Sequence, residues 1–371
     1  MDSRRQIPDG NRIRELFFRI IQRPVDLVDC TMDEQDYLLR MYRSAGLLGR
    51  IAHDILPSPA NERCSEKLRE QLRSAQVVAN SHERMLRWEV NRIQRAVGHR
   101  HSPLILLKGA AYLFLGLPTA KGRLVADIDI LVPQEKIDQV ERGLLAAGWF
   151  TVKLDDYDQK YYREWMHELP PLRHPGRAAV VDVHHTILPP TSRLKPDPKQ
   201  LFAQAKPLKE HGLAVLGPAD MVLHNVVHLF FDGDLQRGLR QLLDLDGMLQ
   251  HFADADDFWP TLAPRAQALG LARPLHYGLR YCRRWLATPI PEKVIEDVAR
   301  VGAPPTPVGL LMDILVNAMF HPRLPGERSP AKNAAQFALY VRSHWLRMPP
   351  SLLFPHLGRK LLRRWTKPAE A

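Results

Sequence analysis

The run VADIDILV at 125–132 places two aspartates two residues apart inside an otherwise apolar stretch. Side chains alternate faces along a strand, so Asp127 and Asp129 project to one side. Ile128, Ile130 and Val132 project to the other side, into a core. An unpaired charge buried with that core is very costly. The carboxylates therefore face solvent, as an edge strand allows, or a cation held between or beside them. Carboxylate and phosphate oxygens together suit Mg²⁺, with Mn²⁺ as a substitute. The Asp-x-Asp spacing by itself does not choose between the solvated edge and the metal.

Three neighbouring features bear on that choice. The apolar run PLILLKG (103–109) reads as a strand closed by Lys108-Gly109. Gly109 lets backbone N–H groups approach a phosphate at the start of a helix, and Lys108 supplies a point charge. Arg123, just before the acidic strand, offers a guanidinium to a phosphate. RAAVVDVHHTIL (177–188) reads as a later strand in which Asp182 completes a three-carboxylate set. His184 lies two residues on, on the same face, and Arg177 stands on the outside of the basic rim. Each feature has a plain alternative: a solvated Lys108, an Arg123–Asp127 ion pair, a hydrogen-bonded core His184. The plain alternatives leave the joint order strand, Gly, helix, Arg, Asp-x-Asp strand, Asp strand unexplained.

The rest of the chain sorts into helices on both sides of this unit. Residues 11–98 carry apolar positions at helical spacing, ending in the long SEKLREQLRSAQVVANSHERMLRWEVNRIQRAVG. QEKIDQVERGLLAAGW is a further helix with glycine at its end. The proline-rich PPTSRLKPDPKQ (189–200) leads away from the unit, and helices return from about Pro218. The spacing predicts an α+β chain: a helical region at 1–98, a small mixed sheet flanked by helices at 99–215, a helical domain at 216–330 and a basic tail at 331–371. With 371 residues, 45% hydrophobic and 25% charged, the chain can build a core of its own. Cys30, Cys64 and Cys282 form no close pair, which fits a reducing cytoplasm. No apolar run approaches the length of a spanning helix.

The stretch LLKGAAYLF…GRLVADIDILV…VDVHHTI resembles the nucleotidyltransferase superfamily with the polymerase-β-like palm. It is most similar to an uncharacterised bacterial nucleotidyltransferase family that carries Lys-Gly, Arg, Asp-x-Asp and an acidic-x-His element. VLHNVVHLFF…LRQLLDLDGML also resembles that family's C-terminal helices. The resemblance implies a palm domain at 99–215 and transfer of a nucleoside monophosphate from an NTP to an acceptor, with release of pyrophosphate. It implies Mg²⁺ on Asp127, Asp129 and Asp182, with Asp182 also activating the acceptor hydroxyl. It places Lys108, Gly109 and Arg123 at the nucleotide phosphates and His184 behind the acidic set. The wider superfamily has Gly-Ser or Gly-Gly after the first strand, where this chain has Gly109-Ala110. The acceptor would be a small molecule, a protein or RNA. Such chemistry is two-metal phosphoryl transfer, in which the protein mainly positions and balances charge.

A second reading is an inactive nucleotidyltransferase-fold scaffold that uses a basic tail to bind an anionic partner. Net charge is +11, and Arg342, Arg347, Arg359, Lys360, Arg363, Arg364 and Lys367 follow one another without an acidic residue. Pro349, Pro350 and Pro355 interrupt any long helix there. A metal-dependent phosphohydrolase ranks last, since residues 184–185 are His-His rather than His-Asp. His224 and His228 share a helix face at metal-binding spacing, but NVV between them contains no glutamate, so a satisfied helix pair is the better reading. Asp244, in LLDLD, reads as a structural partner for His228 or an arginine.

Overall fold

A computed structural model describes residues 9–98, 104–125, 127–151, 156–208, 212–231, 235 and 238–366. The N-terminal region is helical: α1 (Gly10–Gln22), α2 (Met32–Ser44), α3 (Leu48–Ile55), the short α4 (Ala60–Arg63) and α5 (Glu66–Val97). Local sequence explains their ends. Thr31 accepts from the Glu34 backbone while Glu34 reaches back to Thr31, closing a capping box on α2. Ser65 caps α5, which buries a stripe from Leu68 and Leu72 to Val90 and Ile93.

The central unit runs β1 (Leu104–Leu106), α6 (Lys108–Phe114), β2 (Asp127–Leu131), α7 (Ile137–Ala146), β3 (Phe150–Thr151), α8 (Asp156–Lys160), one π-helical turn at Tyr161–Trp165, β4 (Leu172–Arg173), β5 (Val180–His184), α9 (Pro198–Ala203), β6 (Lys206–Pro207) and β7 (Leu213–Val215). The strands form one mixed sheet in the order β3-β4-β5-β2-β1-β7-β6. β2 pairs in parallel with β5 and antiparallel with β1, while β1 pairs in parallel with β7. Ile128, Ile130, Val181 and Val183 are fully buried. Each such side chain is worth about 1.5–3 kcal/mol on burial, which fixes the β2–β5 register by keeping the other face for polar groups.

Three strands were expected, and the sheet has seven among the described residues. The chain does not leave the sheet at the proline-rich loop: β6 and β7 return it to the far side of β1. Short strands of two or three residues carry too little alternation to be read locally.

The C-terminal region packs α10 (Pro218–Phe231), α11 (Gly238–Phe252), α12 (Phe258–Ala268), α13 (Ala272–Leu286), α14 (Glu292–Gly302), α15 (Thr306–Phe320), α16 (Pro330–Arg347) and α17 (Pro350–Thr366). α10 is buried almost all round and packs on α11 and α13. The start of the basic stretch, at Arg342 and Arg347, is held against the rest of the protein. Arg342 donates to the Phe230 carbonyl at 2.7 Å, and Thr191 Oγ1 donates to the Arg347 carbonyl at 2.7 Å. Pro355 sits inside α17, while the side chains of Lys360, Arg363 and Arg364, and Lys367 altogether, lie outside the described residues. Among the described residues no single helix is long and apolar enough to cross a membrane.

Candidate active site

The β2–β5 register sets the site. Asp129 is aligned with Asp182, and Leu131 with His184, so Asp129, Asp182 and His184 share one face of the sheet. Asp127 lies at the exposed start of β2, opposite Val180. Asp129 is only 3% exposed.

Two groups meet at one oxygen of Asp129. Lys108 Nζ donates to Oδ1 at 2.7 Å, and His184 Nε2 donates to the same atom at 3.0 Å. Burial opposes the Asp129 charge, yet Lys108 and His184 hold its carboxyl well below the usual carboxylate range. Lys108 reaches Asp129 from the first residue of α6, with a backbone φ of 45°. That left-handed conformation costs a side-chain-bearing residue about 1–3 kcal/mol and marks a position that the surroundings over-determine.

Asp182 has the opposite environment. Its Oδ1 is buried without a hydrogen-bond partner. Burial, followed by the charges of Asp129 and Glu168, pushes its carboxyl up to about 7. His184 is buried between two carboxylates: Nε2 meets Asp129, and Nδ1 lies 3.3 Å from Glu168 Oε2. Burial disfavours its charge, but the Asp129 hydrogen bond and the Glu168 charge raise its pKa above the ordinary imidazole value.

Gly109 has a packing reason in this structure. It is buried, and a Cβ there would overlap the Arg123 guanidinium and press on Val125. Arg123 itself is committed to α11. Its Nε donates to Asp244 Oδ2 at 3.0 Å, while Thr119 Oγ1 donates to Asp244 Oδ1 at 3.2 Å. Of the anticipated partners, an arginine does meet Asp244, as Arg123, while His228 does not make this bond and Asp127 is not the partner of Arg123. The loop before Arg123 is pinned by the backbone of Gly122, at φ 67°, against that of Gly49 on α3. A crevice lined by His82, Glu83, Gly109, Arg123 and Val125 opens beside it.

Arg177 turns away from the aspartates. Its guanidinium stacks on Trp149 and Trp88 and reaches Glu89 at 3.4 Å. His228 Nδ1 accepts from Gln241 Nε2 at 2.9 Å. His224 is buried, and burial, with the Lys108 charge next, pushes its ring well below the usual imidazole range.

Sequence reading missed His167 and Glu168. Leu169 N–H bonds to the Val183 carbonyl and His185 N–H to the His167 carbonyl, each at 2.9 Å. This pairing sets Glu168 directly opposite His184. The position between such flanking bonds is a non-hydrogen-bonded pair, where side chains approach closely. Among the described residues, the set of three metal-capable groups brought within 4.8 Å is His167, Glu168 and His184. The three aspartates do not close into such a set. The adjacent His-Glu pair in WMHELPP was the available signal.

A family profile described as uncharacterised nucleotidyltransferase matches residues 31–287, more than half of the chain. The match runs from the N-terminal helices through the whole sheet and into α10–α13. No curated protein and no solved structure matches the chain.

Proposed function

The chain belongs to the uncharacterised nucleotidyltransferase family, and on that premise we propose that it transfers a nucleoside monophosphate from an NTP to an acceptor hydroxyl. The observation that carries this reading is the Asp129–Asp182 pair: two aligned carboxyls, one held ionised by Lys108 and His184, the other held near neutrality. Two carboxyls in one site with values driven apart are a recurrent basis of acid–base assignment.

The residues present suit a divalent ion. The unpartnered, buried Oδ1 of Asp182 and the repulsion it feels from Asp129 and Glu168 are what a bound cation would relieve. Asp127, Asp129 and Asp182, drawn closer together than they stand in this structure, would hold Mg²⁺ or Mn²⁺, which when bound supplies charge neutralisation of the phosphates and of the leaving pyrophosphate. Asp182 would take the proton of the acceptor hydroxyl, as a carboxyl whose buried Oδ1 has no protein partner. The acceptor oxygen forms the new bond to the α-phosphorus as the bond to the pyrophosphate oxygen breaks.

Lys108, Gly109 and Arg123 would form the phosphate side. Lys108 already balances Asp129, and Arg123 is held by Asp244 with its Nη1 against Gly109. His184 keeps Asp129 charged and oriented. The four units at 1–98, 99–215, 216–330 and 331–371 would divide the work, with acceptor contacts falling to the helical regions beside the sheet.

The test is incubation with α-labelled NTPs, Mg²⁺ or Mn²⁺ and candidate acceptors, the protein itself included. Wild type is expected to label an acceptor, and Asp129→Ala to label none. Equal, metal-independent labelling by both proteins would overturn the assignment.

A further inference from the structure

We propose that His167, Glu168 and His184 form a binding site for a divalent transition-metal ion, beside the aspartate set and distinct from it. Two imidazoles and one carboxylate favour Zn²⁺, Co²⁺, Mn²⁺ or Ni²⁺, whereas Mg²⁺ favours oxygen ligands and water. The three donors already lie within 4.8 Å of one another. Ligands about 2.0–2.1 Å from a tetrahedral ion stand roughly 3.4 Å apart. His184 Nδ1 and Glu168 Oε2 are 3.3 Å apart, which meets that spacing, and His167 Nε2 is 3.9 Å from the same oxygen. An inward move of the mostly buried His167 imidazole by up to about 1.4 Å brings the set, now within 4.8 Å, to that spacing.

The surroundings prepare His184 for this role. Its Nε2 donates to Asp129 Oδ1, an arrangement that fixes the ring with Nδ1 directed at Glu168, where a bound ion would replace a proton on Nδ1. A carboxylate behind a histidine ligand is the usual support for a metal-bound imidazole. Without a cation, the Nδ1 lone pair and Glu168 Oε2 face each other as two acceptors unless a second proton sits on the ring. The β5 pairing that places Glu168 opposite His184 builds the site into the sheet, on backbone hydrogen bonds of 2.9 Å. Three protein ligands leave a position open, as in sites where the ion meets a substrate oxygen or water. Asp182, with its unpartnered Oδ1, is the adjacent protein group within electrostatic reach of both Glu168 and His184.

The inference goes beyond nucleotidyl transfer and does not rest on it, so its test uses no nucleotide. Untagged, chelator-treated full-length protein is titrated with Co²⁺ and followed by visible absorption, with and without an excess of Mg²⁺. One Co²⁺ per chain with ligand-field absorption that Mg²⁺ does not remove is expected. The signal should vanish in His167→Ala and Glu168→Gln and persist in Asp127→Asn. Thermal unfolding is recorded for each variant, and Glu168→Gln, which keeps the side-chain shape, decides the matter if His167→Ala does not fold. Absence of Co²⁺ binding in wild type, in which case His184 is held as an imidazolium between two carboxylates, overturns the proposal. So does a signal that survives in Glu168→Gln, or one lost in Asp127→Asn and displaced by Mg²⁺, which would place the ion on the aspartates.

Discussion

Asp129 and Asp182 are aligned in register on adjacent parallel strands, yet the protein drives their carboxyls in opposite directions. Lys108 and His184 both bond to Asp129 Oδ1, so its charge is satisfied despite burial. Asp182 receives no such partner at its buried Oδ1 and feels two neighbouring carboxylates. The asymmetry comes from the neighbours: Lys108 on α6 and His184 on β5 bond to Asp129, while burial and the charges of Asp129 and Glu168 act on Asp182.

The first consequence concerns pH and the metal-free protein. The folded Asp182 value of about 7 lies above its ordinary value, which is near ~3.9 in an unfolded chain. Below that interval both states hold the proton, and above it both have lost it. Stability contributed by this group therefore falls as pH rises through the interval, and the full loss is reached near neutrality. In chelator-treated protein, the melting temperature of wild type relative to Asp182→Asn should fall between about pH 4 and pH 7. Calorimetry showing parallel pH profiles for the two proteins would contradict the environment assigned to Asp182.

Lys108 separates charge from backbone strain. Lys108→Met removes the ammonium from a buried carboxylate, a loss of about 3 kcal/mol for a pair with one partner left behind. Lys108→Gly removes the same charge but accepts the φ of 45° without a Cβ penalty. Urea denaturation should find the glycine variant more stable than the methionine variant by about 1 kcal/mol. The reverse order would mean that the left-handed backbone at Lys108 carries no cost.

Arg123 and Asp244 tie the loop before β2 to α11. Their side chains are 11% and 5% exposed, so breaking the pair strands a charge. Asp244→Ala should cost about 3–5 kcal/mol, and Arg123→Met with Asp244→Leu should recover most of it. Chemical denaturation of the single and double variants reads the coupling. Additive losses would show that the two groups do not depend on each other.

Gly109 and Arg123 should also be coupled, for a steric reason. A Cβ at Gly109 overlaps the guanidinium, so Gly109→Ala should destabilise by about 1–3 kcal/mol. The penalty should shrink in an Arg123→Ala background, leaving the residual pressure on Val125. An unchanged penalty there would locate the clash elsewhere.

Much of this site was legible because local rules reach it. Asp127, Asp129, Asp182 and His184 follow from alternation along two strands, whose isoleucines and valines are fully buried. Two kinds of relationship were out of reach. Glu168 meets His184 through an isolated bridge outside the named strands, where no periodicity exists to read. Asp244 meets Arg123 across 121 residues of sequence, and only packing of α11 against the loop at Pro118–Ala120 decides that partner. Gly109 reads in the sequence as an approach for a phosphate, while its close contact with Arg123 depends on tertiary packing. β7 joins β1 in parallel from more than a hundred residues away, a pairing that three buried residues cannot announce.

The central claim is the reaction class, and the position of the label in the products tests it most directly. One NTP is supplied with label on the α-phosphate and, separately, on the γ-phosphate, together with Mg²⁺ and an acceptor. The account predicts that α-label enters the acceptor while γ-label leaves in pyrophosphate, in equal amounts, and that Asp182→Asn does neither. Appearance of γ-label in the acceptor, or its release as orthophosphate with no labelled acceptor, would contradict it.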